Sequence, residues 1–240
     1  MEWTITTFLL ANLILILGSI LQMATGVSMG MIVVPFLAMI SYTLVPVPII
    51  FGSLPFLIMM VYKGRKHIDT QNMFQVNIGM ILGIFVAIYL LKNIHFDYLG
   101  ILFGLFILLS VFISMRVKSF KLSSSINYTG GFLAGLMGAM AAVGGQILAL
   151  LFQNHPLESI KATLAFLYLI FSVVMLVVFY LFGAFSQAEM ISSFYIMPGF
   201  IIGFFIAPIF TQYINPKYAK IMVLSMATLG ALILIVKGLI

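Results

Sequence analysis

A polar stretch with two glycines interrupts the first long apolar run of this chain. The run extends from Thr4 to Met39, and the interruption reads Gln22-Met-Ala-Thr-Gly-Val-Ser-Met-Gly30. Such a break frees backbone N–H and C=O groups that lipid cannot satisfy, so at membrane depth it must face protein or a water-filled cavity. We therefore interpret this stretch as one half of a binding site.

The rest of the chain has the composition of an integral membrane protein. Of its 240 residues, 64% are hydrophobic and 7% are charged, whereas about 25% of the residues in a soluble domain are charged. Apolar stretches long enough for a spanning helix of ~20 residues recur along the whole length. We expect an all-α protein that forms a single membrane domain over residues 1–240 and has the lipid bilayer as a partner.

Several other classes of function lack the residues that they need. The net charge of +6 lies in short loops between spans, so we expect no nucleic-acid partner. Cysteine is absent and the three histidines have no metal-ligand spacing, so we expect neither a metal nor a cofactor. The predicted spans carry no acid pair, His cluster or Ser/Lys arrangement, which argues against an intramembrane enzyme. The sequence leaves open whether the protein forms a homodimer.

The chain divides into two halves with the same plan. A second glycine break, Gly144-Gly145-Gln146, opens the second half, and three long apolar spans follow each break. We assign repeat one to residues 1–115 and repeat two to residues 126–240, with a basic, serine-rich loop at 116–125 between them. The predicted spans are 49–62, with a kink at Pro55, then 71–91, 98–115, 160–182, 189–210 and 218–236.

Two spacings recur between the halves. The pattern Gly79-x3-Gly83-x3-Ala87 returns as Gly199-x3-Gly203-x3-Ala207, and Asn12 precedes Gly30 by the same separation as Asn127 precedes Gly145. Because small residues four positions apart are a general motif of close helix packing, the repeat rests on position more than on identity.

The distribution of basic residues favours re-entrant hairpins at the two breaks. If each interrupted segment enters and leaves on one side, only Lys92 and Lys237 fall opposite the other basic residues. This distribution of Lys and Arg between the two sides is more unequal than the one that results if the second segment crosses the membrane once. The more basic side is then expected to be cytoplasmic. Each half then crosses three times, which predicts two inverted-topology repeats, with loops 63–69 and 116–125 cytoplasmic. The nine residues on the shared side are Lys63, Arg65, Lys66, Arg116, Lys118, Lys121, Lys161, Lys217 and Lys220.

Both glycine segments resemble those of the TauE/SafE family of bacterial membrane transporters. The resemblance lies in Gly26-Val-Ser-Met-Gly30-Met-Ile-Val-Val-Pro35 and in Gly130-Gly131-Phe-Leu-Ala-Gly135-Leu-Met-Gly138, which leads to the second break. It implies a multi-pass protein of the bacterial cytoplasmic membrane that exports or takes up sulfite, sulfonates or related organosulfur anions. Pro35 follows the first segment as in the family, whereas Leu150 stands at the matching place in the second.

An anion at membrane depth needs hydrogen-bond donors and positive potential, and a buried Lys or Arg is costly there. The starts of two half-helices supply both without a formal charge. We expect half-helices to begin at Met31 and Ile147. The predicted substrate-binding residues are Gln22, Thr25, Gly26, Ser28, Gly30, Gly144, Gly145, Gln146, Tyr168 and Ser172.

Each polar residue also has a structural alternative. Thr25 and Ser28 either line the site or bond to their own helix backbone, and Tyr168 and Ser172 either face the cavity or pack. Asn12 and Asn127 are predicted to join helices, and Pro35 is predicted to be structural. The leading function is a secondary transporter, an exporter, that works by alternating access on a small anionic substrate. The alternative is a channel-like anion facilitator, or a permease for another small carboxylate or oxyanion.

Overall fold

The computed structural model describes residues 3–25, 29–95, 98–116 and 123–239, with the backbone alone at residues 216 and 217. Helices dominate this part of the chain, and it contains no strand. The α-helices are α1 (Ile5–Thr25), α2 (Gly30–Ile40), α3 (Val47–Gly52), α4 (Leu54–Gly64), α5 (Met73–Asn93), α6 (Leu99–Arg116), α7 (Ser124–Ala141), α8 (Gly145–Leu151), α9 (Leu157–Leu181), α10 (Gln187–Thr211) and α11 (Pro216–Leu239).

Six of these helices are long and apolar enough to cross a membrane, which confirms the all-α membrane class. They are α1, α5, α6, α9, α10 and, from Tyr218 to Leu239, α11. The span predicted at 49–62 is instead divided into α3 and α4, with Ser53 between them. Pro55 lies in the first turn of α4. A proline ring clashes with the carbonyl four residues earlier, which explains an interruption at this point rather than a simple kink.

Local sequence explains where several helices begin and end. Ser186 and Glu189 form a capping box at the start of α10, in which each side chain accepts a bond from the other's backbone N–H. The Ser123 hydroxyl likewise accepts from Ile126 N–H at the start of α7. That helix ends at Ala142, whose φ of 54° lies in the left-handed region and turns the chain sharply before α8.

The largest helix contacts join the two halves of the chain. Helix α1 packs along α10, α5 along α7 and α6 along α11. The α5–α7 crossing is close because glycines face backbone: a Cβ added to Gly83 would overlap the carbonyl of Phe132, and one added to Gly135 would overlap that of Met80. The second half therefore does not fold as a separate layer.

Asn12 joins α1 to α10 through its carboxamide. Its Nδ2 donates to the Tyr195 carbonyl at 3.0 Å, and its Oδ1 accepts from Gly199 N–H at 2.6 Å. These two backbone groups stand four residues apart, at the spacing of a helical hydrogen bond, and they flank Pro198. Asn127 makes the matching link from α7 to α5, where its Nδ2 donates to Gln75 Oε1 at 2.8 Å.

Loops from the two halves meet at each end of the molecule. At one end, His155 Nδ1 lies 3.2 Å from an Asp69 carboxylate oxygen, and His67 Nε2 lies 3.7 Å from one of Glu158. At the other end, a cavity of about 550 Å³ is lined by Trp3, Tyr42, Leu99 and Ser186, among others. The loops 63–69 and 153–161 therefore lie together.

Candidate functional site

A small cavity lies between the two breaks. Its volume is about 70 Å³, which is enough for several water molecules or for an anion of a few heavy atoms. The long helices that line it contribute residues from near their middles, such as Met80 of α5 and Tyr168 of α9. We call this space the central cavity. Six of the predicted substrate-binding residues line it: Gln22, Gly30, Gly144, Gly145, Tyr168 and Ser172.

Gln22 sets the geometry of the first break. It lies in the last turns of α1 with 4% of its surface exposed, and its Oε1 accepts a bond of 3.2 Å from Met29 N–H, directly before α2. This bond satisfies one backbone donor that the break frees, and it ties the end of α1 to the start of α2. The carboxamide NH₂ group makes no hydrogen bond to a described residue, so it remains available to a ligand.

The second break brings the start of α8 to the same cavity. Gly144 lies so close to α7 that an added Cβ would overlap the Ala134 carbonyl, so this position requires glycine. The N-cap residues of α2 and α8, Met29 and Gly144, make no side-chain cap bond. Gly30 and Gly145, the first residues of the two helices, both line the cavity, so the positive ends of both helix dipoles lie beside it.

Helix α9 supplies two side chains, which differ in what they bind. The Tyr168 hydroxyl donates to the Gly145 carbonyl at 3.1 Å, so it holds α8 against α9. The Ser172 hydroxyl lines the cavity one turn later and makes no hydrogen bond to a described residue. A serine in a membrane helix usually bonds its own backbone. Because Ser172 does not, its hydroxyl is an available donor.

Ser53 completes the polar lining and was not predicted from the sequence. It lies between α3 and α4, where its hydroxyl donates to the Ile50 carbonyl at 2.9 Å. The Gly52-Ser53-x-Pro55 pattern, read as an interruption rather than a kink, would have indicated it. The remaining lining is apolar and includes Met29, Ile49, Leu57, Met80, Leu148 and Phe171.

The central cavity contains no formal charge among its lining residues. Its side-chain donors are neutral, namely the Gln22 amide and the Ser172 hydroxyl, and the starts of two helices lie beside it. Carboxylates, which would repel an anion, do not line it. Such a site attracts a small anion through donors and helix dipoles, and it lacks the negative groups that a cation would need.

Other predicted residues lie away from the lining. The Thr25 hydroxyl donates to its own helix at Leu21. Gln146 is 98% buried, and its Nε2 has no partner among the described residues. Pro35 is buried within α2 where Gly230 of α11 approaches it. Gly26 and Ser28 fall outside the described residues.

Comparison with known families identifies the chain. The family model described as sulfite exporter TauE/SafE matches residues 11–234. The chain belongs to the sulfite exporter TauE/SafE family. The TauE/SafE match includes both breaks and every described residue that lines the central cavity. No curated protein and no solved structure matches the chain.

Membership in the TauE/SafE family makes this a membrane transporter with several crossings. Secondary transporters bind their substrates near the middle of the bilayer, where discontinuous helices meet. In this TauE/SafE member the two discontinuities lie at α1–α2 and α7–α8.

Proposed function

We propose that this protein exports a small sulfur oxyanion or organosulfur anion, such as sulfite or a sulfonate, by alternating access through the central cavity. The observation that carries the proposal is the convergence of two helix starts and two neutral donors, Gln22 and Ser172, on one uncharged cavity. Backbone N–H groups bind an anion without the cost of a resident charge at membrane depth.

The pattern of contacts between the halves supports two inverted repeats. If α1 corresponds to α7 and α5 to α10, then the α1–α10 and α5–α7 contacts are the same contact made twice. The matching glycines agree, since Gly83 of α5 packs on α7 and Gly203 of α10 packs on Ser19 of α1. Repeats related in this way can rock against each other about a central site.

The separation of the cavities favours a carrier over a channel. The central cavity shares no described lining residue with the cavity at either end of the molecule. A channel needs a continuous path, whereas a carrier encloses its substrate between two closed layers.

Transport measurements on reconstituted protein test the proposal. Proteoliposomes should accumulate labelled sulfite or methanesulfonate with a flux that saturates, and unlabelled anion on the opposite side should accelerate it by counter-exchange. A linear flux without counter-exchange would favour the channel alternative. The proposal fails if purified protein is stabilised against heat only by cations or neutral sugars and by none of the anions.

The orientation is tested separately with single cysteines, because the chain has none of its own. Cysteines placed at Lys66 and Lys220 should react with a membrane-impermeant reagent from the cytoplasmic side, and one placed at Lys92 should react from the other. Labelling of Lys66 and Lys220 positions from opposite sides would refute the re-entrant topology.

A further inference from the structure

A second cavity, separate from the central one, lies at the end of the molecule where loops 63–69 and 153–161 meet. Its volume is about 350 Å³, and it is lined by two lysines, Lys63 and Lys161, together with His67, Glu158, Met60 and Met23. We call it the basic vestibule. Lys161 is half-buried in the first turns of α9, and Lys63 is exposed at the end of α4.

Each acid at this end lies beside a histidine, and Glu158 also attracts Lys161 by charge. Glu158 lies 3.7 Å from His67, and Asp69 lies 3.2 Å from His155. Neither lysine forms a salt bridge within the part of the chain that the structure describes. The vestibule therefore holds two ammonium groups against one carboxylate, that of Glu158.

A close backbone contact brings the two lysines to the same cavity. Gly64 packs on Ala162 so tightly that an added Cβ would lie 2.9 Å from the alanine Cβ. Because Lys63 precedes Gly64 and Lys161 precedes Ala162, the contact between α4 and α9 sets the two ammonium groups beside one space. Like charges held together repel, and an anion between them relieves that repulsion.

We propose that the basic vestibule is a second oxyanion-binding site, which collects the substrate anion before it reaches the central cavity. The anion's onward path to the central cavity rests on the proposed function. The binding of sulfate and sulfonate in the vestibule depends only on charge. Two ammonium groups favour a dianion such as sulfate over a monoanion such as methanesulfonate.

The position of the vestibule supports this role. Met23 of the vestibule adjoins Gln22 of the central cavity, and Met60 lies one turn from Leu57, which also lines the central cavity. Neighbouring residues of α1 and of α4 therefore line the two cavities. By the count of basic loops this end is cytoplasmic, the side from which an exporter receives its substrate.

A cysteine reporter measures anion occupancy without any transport. Met60→Cys in the full-length, otherwise cysteine-free protein places a thiol in the vestibule. The thiol should react faster with a methanethiosulfonate that carries a sulfonate than with one that carries a trimethylammonium group. Sulfate should slow the reaction relative to chloride at equal ionic strength, and methanesulfonate should slow it less.

Removal of the lysines should abolish this protection. In K63Q/K161Q the ratio of anionic to cationic labelling rates should fall by about fivefold for each lysine removed. The matched control is R65Q/K66Q, which removes the same charge from the same end of the molecule. The Arg65 guanidinium is stacked on the Tyr62 ring and donates to the Tyr62 carbonyl at 3.0 Å, away from the vestibule. This control should therefore keep the protection by sulfate.

The outcomes separate this inference from the proposed function. Absence of sulfate protection in the Met60→Cys protein, or an equal effect of R65Q/K66Q and K63Q/K161Q, overturns the vestibule site whatever the transport result. Slowing by phosphatidylglycerol but not by sulfate assigns the lysines to a lipid headgroup and also overturns it. Protection that persists in a protein unable to transport any anion supports the vestibule and refutes only the proposed function.

Discussion

Replacement of Gln22 by glutamate adds a charge to the central cavity while it conserves the local geometry. Gln22 Oε1 accepts the bond from Met29 N–H that ties α1 to α2, and a glutamate at this position keeps an oxygen for that bond in nearly the same volume. We expect Q22E to fold and to lose affinity for anions.

The size of the cavity gives the magnitude. In a space of about 70 Å³ a bound anion lies roughly 4 Å from the new carboxylate, where two like charges repel by about 4 kcal/mol at an effective dielectric constant of 20. That is roughly 1000-fold in affinity. Gln22 is only 4% exposed, and burial favours the neutral carboxylic acid. We therefore expect a loss between about tenfold and 1000-fold, which becomes smaller as the pH falls and the carboxyl group takes up a proton.

The assay compares three proteins in the same vesicles. Saturation of methanesulfonate counterflow is measured for the unaltered chain, Q22E and Q22M, and thermal unfolding in detergent reports whether each is folded. Q22M loses both the acceptor for Met29 N–H and the carboxamide donor without the added charge, so it separates loss of these hydrogen bonds from repulsion.

Two results would contradict the reasoning. If Q22E transports the anion with unchanged affinity, the carboxamide does not face the substrate. If Q22M is impaired as much as Q22E at every pH, the loss comes from the missing hydrogen bonds of the carboxamide, and charge is not the cause.

Three further predictions follow from particular contacts. Asn12→Leu removes both hydrogen bonds to α10 and should destabilise the protein by about 1–3 kcal/mol, measured as a lower midpoint of thermal unfolding. An unchanged midpoint would show that Gly199 N–H and the Tyr195 carbonyl bond each other without Asn12. Gly135→Leu should abolish folded protein in size-exclusion chromatography, since its side chain would enter the Met80 carbonyl of α5; a monodisperse protein of normal stability would refute that close crossing. Ser172→Ala should raise the KM about five- to tenfold, whereas Ser53→Ala, whose hydroxyl already bonds the backbone, should change it little; equal effects would refute the distinction.

Much of the fold could be predicted because the signals are local. Long apolar runs predict spanning helices from length alone, and the polar breaks predict where two of them are interrupted. Asn12 could be recognised as a residue that joins helices, since an amide within a span needs partners that lipid does not supply. The interruption at Ser53 was missed because a proline in an apolar run is consistent with either a kink or two helices.

The sequence by itself determined that the chain crosses a membrane, where it breaks and that the site carries no resident charge. Only the tertiary structure decided which polar groups share a space. It placed Gln22 and Ser172 in the lining of the central cavity, where Gln146 is absent, and it brought Lys63 and Lys161 to one cavity across about a hundred residues of chain. Hydrophobic length is a property of each segment, but the rotation of a helix about its axis is set by its packing partners.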